Sequence, residues 1–208
     1  MRYREALKLA GVLLDVAALH PSMESTRKGV RTDRDEGRVD GSHTKRGTDM
    51  GAKGEALAKQ FEAKAYEAGA YIEKLGEADL KKVTEAEKWT VAATAHHLFG
   101  AYDRVPDIAK GLAAGQSPTN FSTKVLDQMN AQHAKDFAAV SKADVMALHR
   151  AGWAKAASVL RGLSDEELAK SGVIFQDAPP FTVEQLVTRA LIAHTDEHMG
   201  SIRKVVGK

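Results

Sequence analysis

Two histidines near the end of the chain, His194 and His198, have the type and spacing of metal ligands. Residues four apart on a helix lie one turn apart on the same face, so both imidazoles can bind one divalent metal ion. On a helical wheel both point the same way as Val183 and Val187, and they are therefore expected to be buried. Because an unsatisfied buried polar group costs about 1–3 kcal/mol, the pair predicts a metal site inside a helical core.

A third histidine would complete such a site, and the segment after Trp89 offers His96 and His97. Adjacent helical residues diverge by about 100°, so only one of the two can face the core. His97 borders the apolar stripe of its helix, whereas His96 points nearly the opposite way. We therefore expect the metal ligands to be His97, His194 and His198.

Two further residues are candidates for a place around the metal. His149 falls on the apolar face of its helix, either as an ordinary core histidine or as a residue that lines the cofactor site. Glu197 lies at the edge of the inward face of the last helix, either as a catalytic base that also orients a ligand or as a solvated carboxylate. The remaining histidines, His20, His43 and His133, show no comparable arrangement and are expected at the surface.

Three known metal motifs can be excluded. Residues 194–198 satisfy the His-x-x-Glu-His pattern of inverted zinc peptidases, but only ten residues follow His198, too few for the further acidic ligand. The forward His-Glu-x-x-His pattern fails because Thr195 occupies the glutamate position. No histidine has a glutamate three residues before it, as di-iron bundles require. A site with three histidines and one metal ion remains.

Four amphipathic segments must position these residues, each with apolar residues at three- and four-residue steps. They run from Leu57 to Leu75, from Val91 to Leu112 after the N-cap Thr90, from Ser141 to Leu163, and from Thr182 to about Val206. Ser141 with Asp144, and Thr182 with Gln185, are typical of helix N-termini. The segments predict an all-α fold, a four-helix bundle.

The connections between the segments indicate how the helices run. A longer connection, with Pro118 and a short helix around residues 124–140, separates the second helix from the third and permits these two to be parallel. Shorter links favour antiparallel pairs elsewhere. Pro179 and Pro180 make residues 177–181 a loop, since proline lacks a donor and disfavours helix before it.

The composition limits the chemistry and the partners. The chain has 208 residues, 43% of them hydrophobic, enough for one domain with a continuous core. It contains no cysteine, which excludes thiolate ligands, disulfides and a cysteine nucleophile. The net charge is +2, and after residue 49 the Lys/Arg and Asp/Glu residues balance at 20 each. A neutral domain lacks the basic surface that nucleic acid binding requires.

Residues 1–49 are predicted to be an N-terminal extension, separate from a domain at residues 50–208. Residues 5–19 have a helical pattern, but residues 21–54 have too few large apolar side chains to fold and are expected to be disordered. The extension is either dispensable or the product of a start codon assigned too early, ahead of Met50. No apolar run approaches the roughly 18 residues that span a bilayer, so we expect a soluble, cytoplasmic protein without a membrane partner.

The stretch Trp89-Thr90-Val91, followed by His97-Leu98, resembles the second-helix signature of the DinB-like (damage-inducible) superfamily of metal-binding four-helix bundles. Residues 194–202 resemble the last-helix motif of that family. The resemblance covers roughly residues 51–206 and excludes the extension. Carried over position by position, the family's three-histidine site falls on His97, His194 and His198. The resemblance also implies an up-down-down-up bundle, homodimers, and zinc or nickel as the ion.

Three neutral imidazoles leave one coordination position open, as catalytic rather than purely structural metal sites do. An ion held this way can activate water, which predicts a metal-dependent hydrolase with a small-molecule substrate. It can also deprotonate the thiol of a small cofactor, which predicts a thiol-dependent S-transferase or isomerase, as the resemblance to the family also implies. A third alternative is a protein that binds the metal without catalysis.

Overall fold

The structure is a computed structural model that describes residues 51–117 and 121–207. The helix expected at residues 5–19 and the disordered extension expected at residues 1–49 lie outside the described residues. The helices are α1 (Ala52–Glu73), α2 (Glu77–Leu80), α3 (Val91–Ala113), α4 (Thr123–Asp136), α5 (Lys142–Gly162), α6 (Asp165–Ala169), α7 (Val183–Val187), a π-helical segment (Thr188–Ala193) and α8 (His194–Val206). Two short strands, β1 (Ser171–Gly172) and β2 (Phe181–Thr182), pair antiparallel.

The all-α fold predicted from the sequence is confirmed, and the predicted helix starts have the expected capping bonds. Ser141 Oγ accepts a hydrogen bond from the backbone N–H of Asp144 at 3.1 Å and opens α5. Thr182 and Gln185 form a reciprocal capping box at the start of α7. Such bonds satisfy N–H groups that have no partner within the helix.

α5 packs against both α1 and α3, and the last helix, formed by α7, the π-helical segment and α8, also packs against both. α1 and α5 are antiparallel. Arg161, late in α5, bonds Glu62, whereas His149, earlier in α5, bonds Ala65, which lies farther along α1. Contacts between α3 and α5 run in the same order, from Thr90 with Ala138 to Asp103 with Lys155. The long connection between α3 and α5 therefore joins two parallel helices.

One continuous core joins these helices, and two glycines on it show how closely the backbones approach. A Cβ on Gly152 of α5 would lie 2.9 Å from Cβ of Tyr102 on α3. A Cβ on Gly54 of α1 would lie 2.6 Å from the carbonyl oxygens of Leu160 and Leu163. Only a residue without a side chain permits these two helix contacts.

The structure differs from the sequence prediction in the last helix and just before it. The expected loop at residues 177–181 ends in a strand, because Phe181 pairs with Gly172. A two-residue strand is too short to show the alternation that predicts strands. The last helix contains a π-helical segment, which the residue types do not indicate. Its wider turn shifts the later residues, so that Val206 is buried whereas Val205 is only half-buried.

Within the described ranges, none of the helices combines the length and the apolar character needed to cross a membrane. This agrees with the absence of a long apolar run in the sequence.

Candidate metal centre

His97 projects from α3, one to two turns after the start of that helix. Thr90 fixes this start, because its Oγ1 accepts a hydrogen bond from the backbone N–H of Ala93 at 3.1 Å. The same hydroxyl donates to the carbonyl of Ala138 at 2.8 Å and ties the start of α3 to the segment before α5. The imidazole of His97 is 1% exposed.

His194 and His198 project from the first two turns of α8, as the four-residue spacing predicts. The π-helical segment ends directly before His194, and π-helical turns are frequent at functional sites. The hydroxyl of Thr195, the next residue after His194, donates to the carbonyl of Leu191 in the π-helical segment at 2.6 Å and meets Tyr102 of α3 on its other side. That hydroxyl has one proton, so the buried Tyr102 hydroxyl donates to Thr195 Oγ1 at 3.0 Å.

The three predicted ligands, His97, His194 and His198, converge, and we call them the histidine triad. One ring nitrogen from each lies within 4.8 Å of the other two. The ring centroid of His97 is 5.1 Å from each of the other two centroids, and the centroids of His194 and His198 are 4.4 Å apart. Among the described residues, this is the one group of three or more metal-ligating side chains that comes so close together.

The polar atoms of the triad fit a bound cation. Both ring nitrogens of His194 and Nε2 of His198 are buried and have no hydrogen-bond partner. Burial, and then the neighbouring His198, lower the pKa of His194 well below its usual range, so its ring is neutral at pH 7. A neutral imidazole offers a lone pair, which is what a divalent ion requires.

Glu87 orients one member of the triad. Its Oε1 lies 2.8 Å from Nδ1 of His198, and both side chains are about nine-tenths buried. Burial by itself would raise the pKa of Glu87, but the hydrogen bond and charge of His198 outweigh it and lower that pKa. An ionised carboxylate only accepts, so Nδ1–H of His198 donates and Nε2 is the nitrogen left for a metal.

The segment that carries Glu87 is a closed loop at one edge of the triad. The backbone N–H of Thr84 donates to the carbonyl of Trp89 at 2.8 Å, and that of Val91 donates to Lys82 at 2.8 Å. Lys88 adopts a positive φ of 63°, a conformation that L residues rarely take. This turn brings the Trp89 ring to within 5.1 Å of the His97 ring.

His133 was expected at the surface, and this prediction is wrong. It lies on α4 and is 7% exposed, with its ring centroid 5.4 Å from that of His97. Burial lowers its pKa to about 4. Of the residues of α4, only His133 and Leu126 are buried, so the helix has too few apolar positions for its inward face to be read from the sequence.

His96 does not join the triad, in agreement with the preference for His97. It is nevertheless buried, because Phe137 stacks on its ring at a centroid distance of 3.8 Å. Burial, and then the charge of Arg104, lower its pKa to about 4.

His149 lies away from the triad. Its Nε2 bonds the carbonyl oxygen of Ala65 at 2.8 Å, and its ring packs on Phe99 at 4.7 Å. Gly69 of α1 makes room for it, since a Cβ there would lie 2.4 Å from Cε1 of the imidazole.

Glu197 is exposed on α8 next to His198. Partial burial raises its pKa, while the charge of His198 lowers it and the carboxylates of Asp196 and Glu87 raise it.

Comparison with known proteins identifies the family. The sequence model of the DinB superfamily matches residues 60–202. The chain belongs to the DinB superfamily. The match includes all three histidines of the triad, and it extends from α1 into α8. No curated protein and no solved structure gives a significant match.

Besides His133, Glu87 is a residue beside the triad that sequence reasoning missed. It stands in a mostly charged stretch, Glu85-Ala86-Glu87-Lys88, of the kind expected in a solvated loop. Its position two residues before Trp89, at the start of the second-helix signature, was the one available signal. Spacing along a loop does not define a direction in space, so that signal could not place the carboxylate against His198.

Proposed function

We propose that this DinB protein binds one divalent metal ion through His97, His194 and His198, with zinc or nickel as the ion. The observation that carries the proposal is the burial of three converging imidazoles, of which His194 has no hydrogen-bond partner on either nitrogen. Leaving such groups unsatisfied costs about 1–3 kcal/mol each, and one shared cation removes that cost. Membership of the DinB superfamily supports the same proposal.

The residues around the triad prepare it for an ion. The carboxylate of Glu87 holds the tautomer and the orientation of His198, as outer carboxylates do in histidine metal sites. Trp89 and the buried face of α4 keep bulk water away from the triad. When bound, a divalent ion with three neutral ligands supplies Lewis-acid activation of a water or a thiol.

The reaction that we propose first is hydrolysis of a small molecule. In this proposal Glu197 accepts the proton that leaves the nucleophile, because it is exposed beside His198 and is not used in the core. A Glu197→Gln variant is expected to keep its metal and to lose hydrolytic turnover by about 10²–10⁴-fold, the usual contribution of a general base.

A thiol-dependent transfer or isomerisation is the second candidate. The observation that favours it is the aromatic wall of the site, since the rings of Trp89 and His133 lie 6.1 Å apart beside His97 and suit a soft, apolar ligand. Small thiols added to the cobalt-substituted protein are then expected to change its absorption spectrum. An unchanged spectrum would exclude this candidate and leave hydrolysis or metal binding without catalysis.

Metal analysis of the purified protein tests the proposed site. Wild-type protein is expected to hold about one ion per chain, whereas His97→Ala, His194→Ala and His198→Ala lose most of it, because three ligands are the minimum for such a centre. His149→Ala is the matched control, a half-buried histidine bonded to Ala65, and is expected to keep the metal. Equal metal content in the triad variants and the control would refute the site.

A further inference from the structure

His133 lies beside the histidine triad without being one of its members. Its ring meets that of His97 edge to face at a centroid distance of 5.4 Å, and the Trp89 ring is 6.1 Å away. The ligating atoms that converge within 4.8 Å belong to the triad and do not include those of His133. His133 therefore borders the centre without belonging to its set of ligands.

The two ring nitrogens of His133 have different surroundings. One of them lies against the backbone of Ala93, which forms a hydrogen bond with the ring. Nε2 is buried and has no hydrogen-bond partner. With the other nitrogen engaged by the backbone of Ala93, Nε2 is the nitrogen left for a ligand, and in the neutral ring it accepts a hydrogen bond when the other nitrogen carries the proton.

A buried acceptor without a hydrogen-bond partner lowers the stability of the folded protein. α4 nevertheless places His133 at one of its few buried positions. Only His133 and Leu126 of the fourteen residues of α4 are buried, so His133 is one of the two side chains that seat the helix on the bundle. Ordinary core packing would place an apolar side chain here, since buried polar groups are nearly always hydrogen-bonded.

We propose that Nε2 of His133 accepts a hydrogen bond from the small ligand that the metal centre binds, and that this ligand has an O–H, N–H or S–H donor next to an apolar body. This inference rests on the proposed metal binding. The donor satisfies Nε2, and the apolar body fits the neighbouring rings of Trp89 and Phe137, 6.1 Å and 4.5 Å from that of His133. His133 is thus a specificity-determining residue for the ligand.

Two thiols of nearly equal size test this role in the cobalt-loaded protein. 2-Mercaptoethanol and 1-propanethiol differ only in a terminal O–H against a CH₃, and titration followed by absorption spectroscopy gives a Kd for each. His133→Phe is expected to shift the ratio of the two Kd values about 3- to 10-fold against 2-mercaptoethanol, the worth of one neutral hydrogen bond. His133→Gln, which keeps an acceptor, is expected to restore part of the ratio.

His96→Phe is the matched control. It removes an equally buried imidazole that stacks on Phe137 and neighbours His133 but is not part of the histidine triad. It is expected to leave the ratio unchanged. If His133→Phe fails to fold, His133→Leu gives the same comparison with less bulk.

A ratio in His133→Phe or His133→Leu equal to that of the wild-type protein would overturn the role of His133. A shift of the same size in His96→Phe would also overturn it, since the effect would then come from repacking. Failure of the proposed metal site gives a different result, namely a cobalt spectrum that is absent or that persists in His97→Ala.

Discussion

His198 uses its two ring nitrogens for different purposes, and this division decides what the triad can do. Nδ1 donates to the ionised Glu87, and Nε2 is buried and has no protein partner. Without the carboxylate, the ring could rotate or exchange its tautomer, and the nitrogen presented to a metal would no longer be fixed.

Removal of the Glu87 carboxylate is therefore expected to weaken metal binding. Glu87→Ala should raise the Kd for zinc about 10- to 100-fold, the usual effect of removing an outer carboxylate from a histidine ligand. Glu197→Gln is the control, a nearby carboxylate whose side chain is exposed. Competition with a chromophoric chelator measures both constants, and equal Kd values for Glu87→Ala and the wild-type protein would contradict the role of Glu87.

At the scale of single residues, the triad could be predicted and its surroundings could not. His97 lies on α3, and His194 and His198 lie four residues apart on α8; within each α-helix a wheel converts sequence spacing into direction. Glu87 lies on a loop, and His133 lies on a helix with only two buried residues, so neither position has a direction that spacing can supply. The same limit explains why His133 was wrongly expected at the surface.

Between elements, the close contact of α3 and α5 at Gly152 holds the two parallel helices together. A methyl group at this position would lie within 3.2 Å of both Cβ and the carbonyl carbon of Tyr102, and neither atom belongs to a flexible side-chain end. Tyr102 in turn bonds Thr195 directly after His194, so this contact also bears on the histidine triad.

Gly152→Ala is expected to lower the free energy of unfolding by about 1–3 kcal/mol, the usual cost of overpacking. Gly200→Ala is the matched control, since nothing lies within 4 Å of a Cβ there, and it should raise stability by about 0.5–1 kcal/mol because alanine favours helix. Urea denaturation of both variants measures the difference. Equal stabilities of the two variants would show that α3 and α5 do not meet as closely as described.

The elements themselves follow from the sequence more fully than their contacts do. The caps at Thr90, Ser141 and Thr182 are where the side-chain oxygens predict them, because capping is a local interaction. The pairing of β1 with β2 depends on residues nine to eleven apart that meet only when α6 and α7 are in place. No local pattern encodes such a pairing.

For the whole molecule, buried histidines make folding sensitive to acid. Burial lowers the pKa of His149, although its bond to the Ala65 carbonyl acts in the opposite direction. The unfolded chain, with a histidine pKa near 6.5, then binds the proton more readily than the folded chain does. Stability is therefore full above about pH 6.5 and is lost as the pH falls below that value towards the lowered pKa of the folded state.

His149→Gln is expected to lose less stability than the wild-type protein between pH 7.5 and 5, because glutamine has no proton to gain and its amide can still donate to Ala65. Chemical denaturation of metal-free protein at a series of pH values measures this. Since His149 lies away from the triad, metal binding at pH 7.5 serves as the control and should not change. Parallel pH profiles for variant and wild type would contradict the lowered pKa.

The π-helical segment at residues 188–193 makes the convergence of the histidine triad depend on chain length as well as on residue identity. An α-helix turns by about 100° per residue, so deletion of one residue there, such as Ala190, would rotate α8 relative to α7 by that angle. The chain would still contain all three histidines, but His194 and His198 could face His97 only if the apolar residues of α7 left the core. Among related sequences, the count of residues between the Thr182 cap and the first histidine is therefore as diagnostic of an intact site as the histidines themselves.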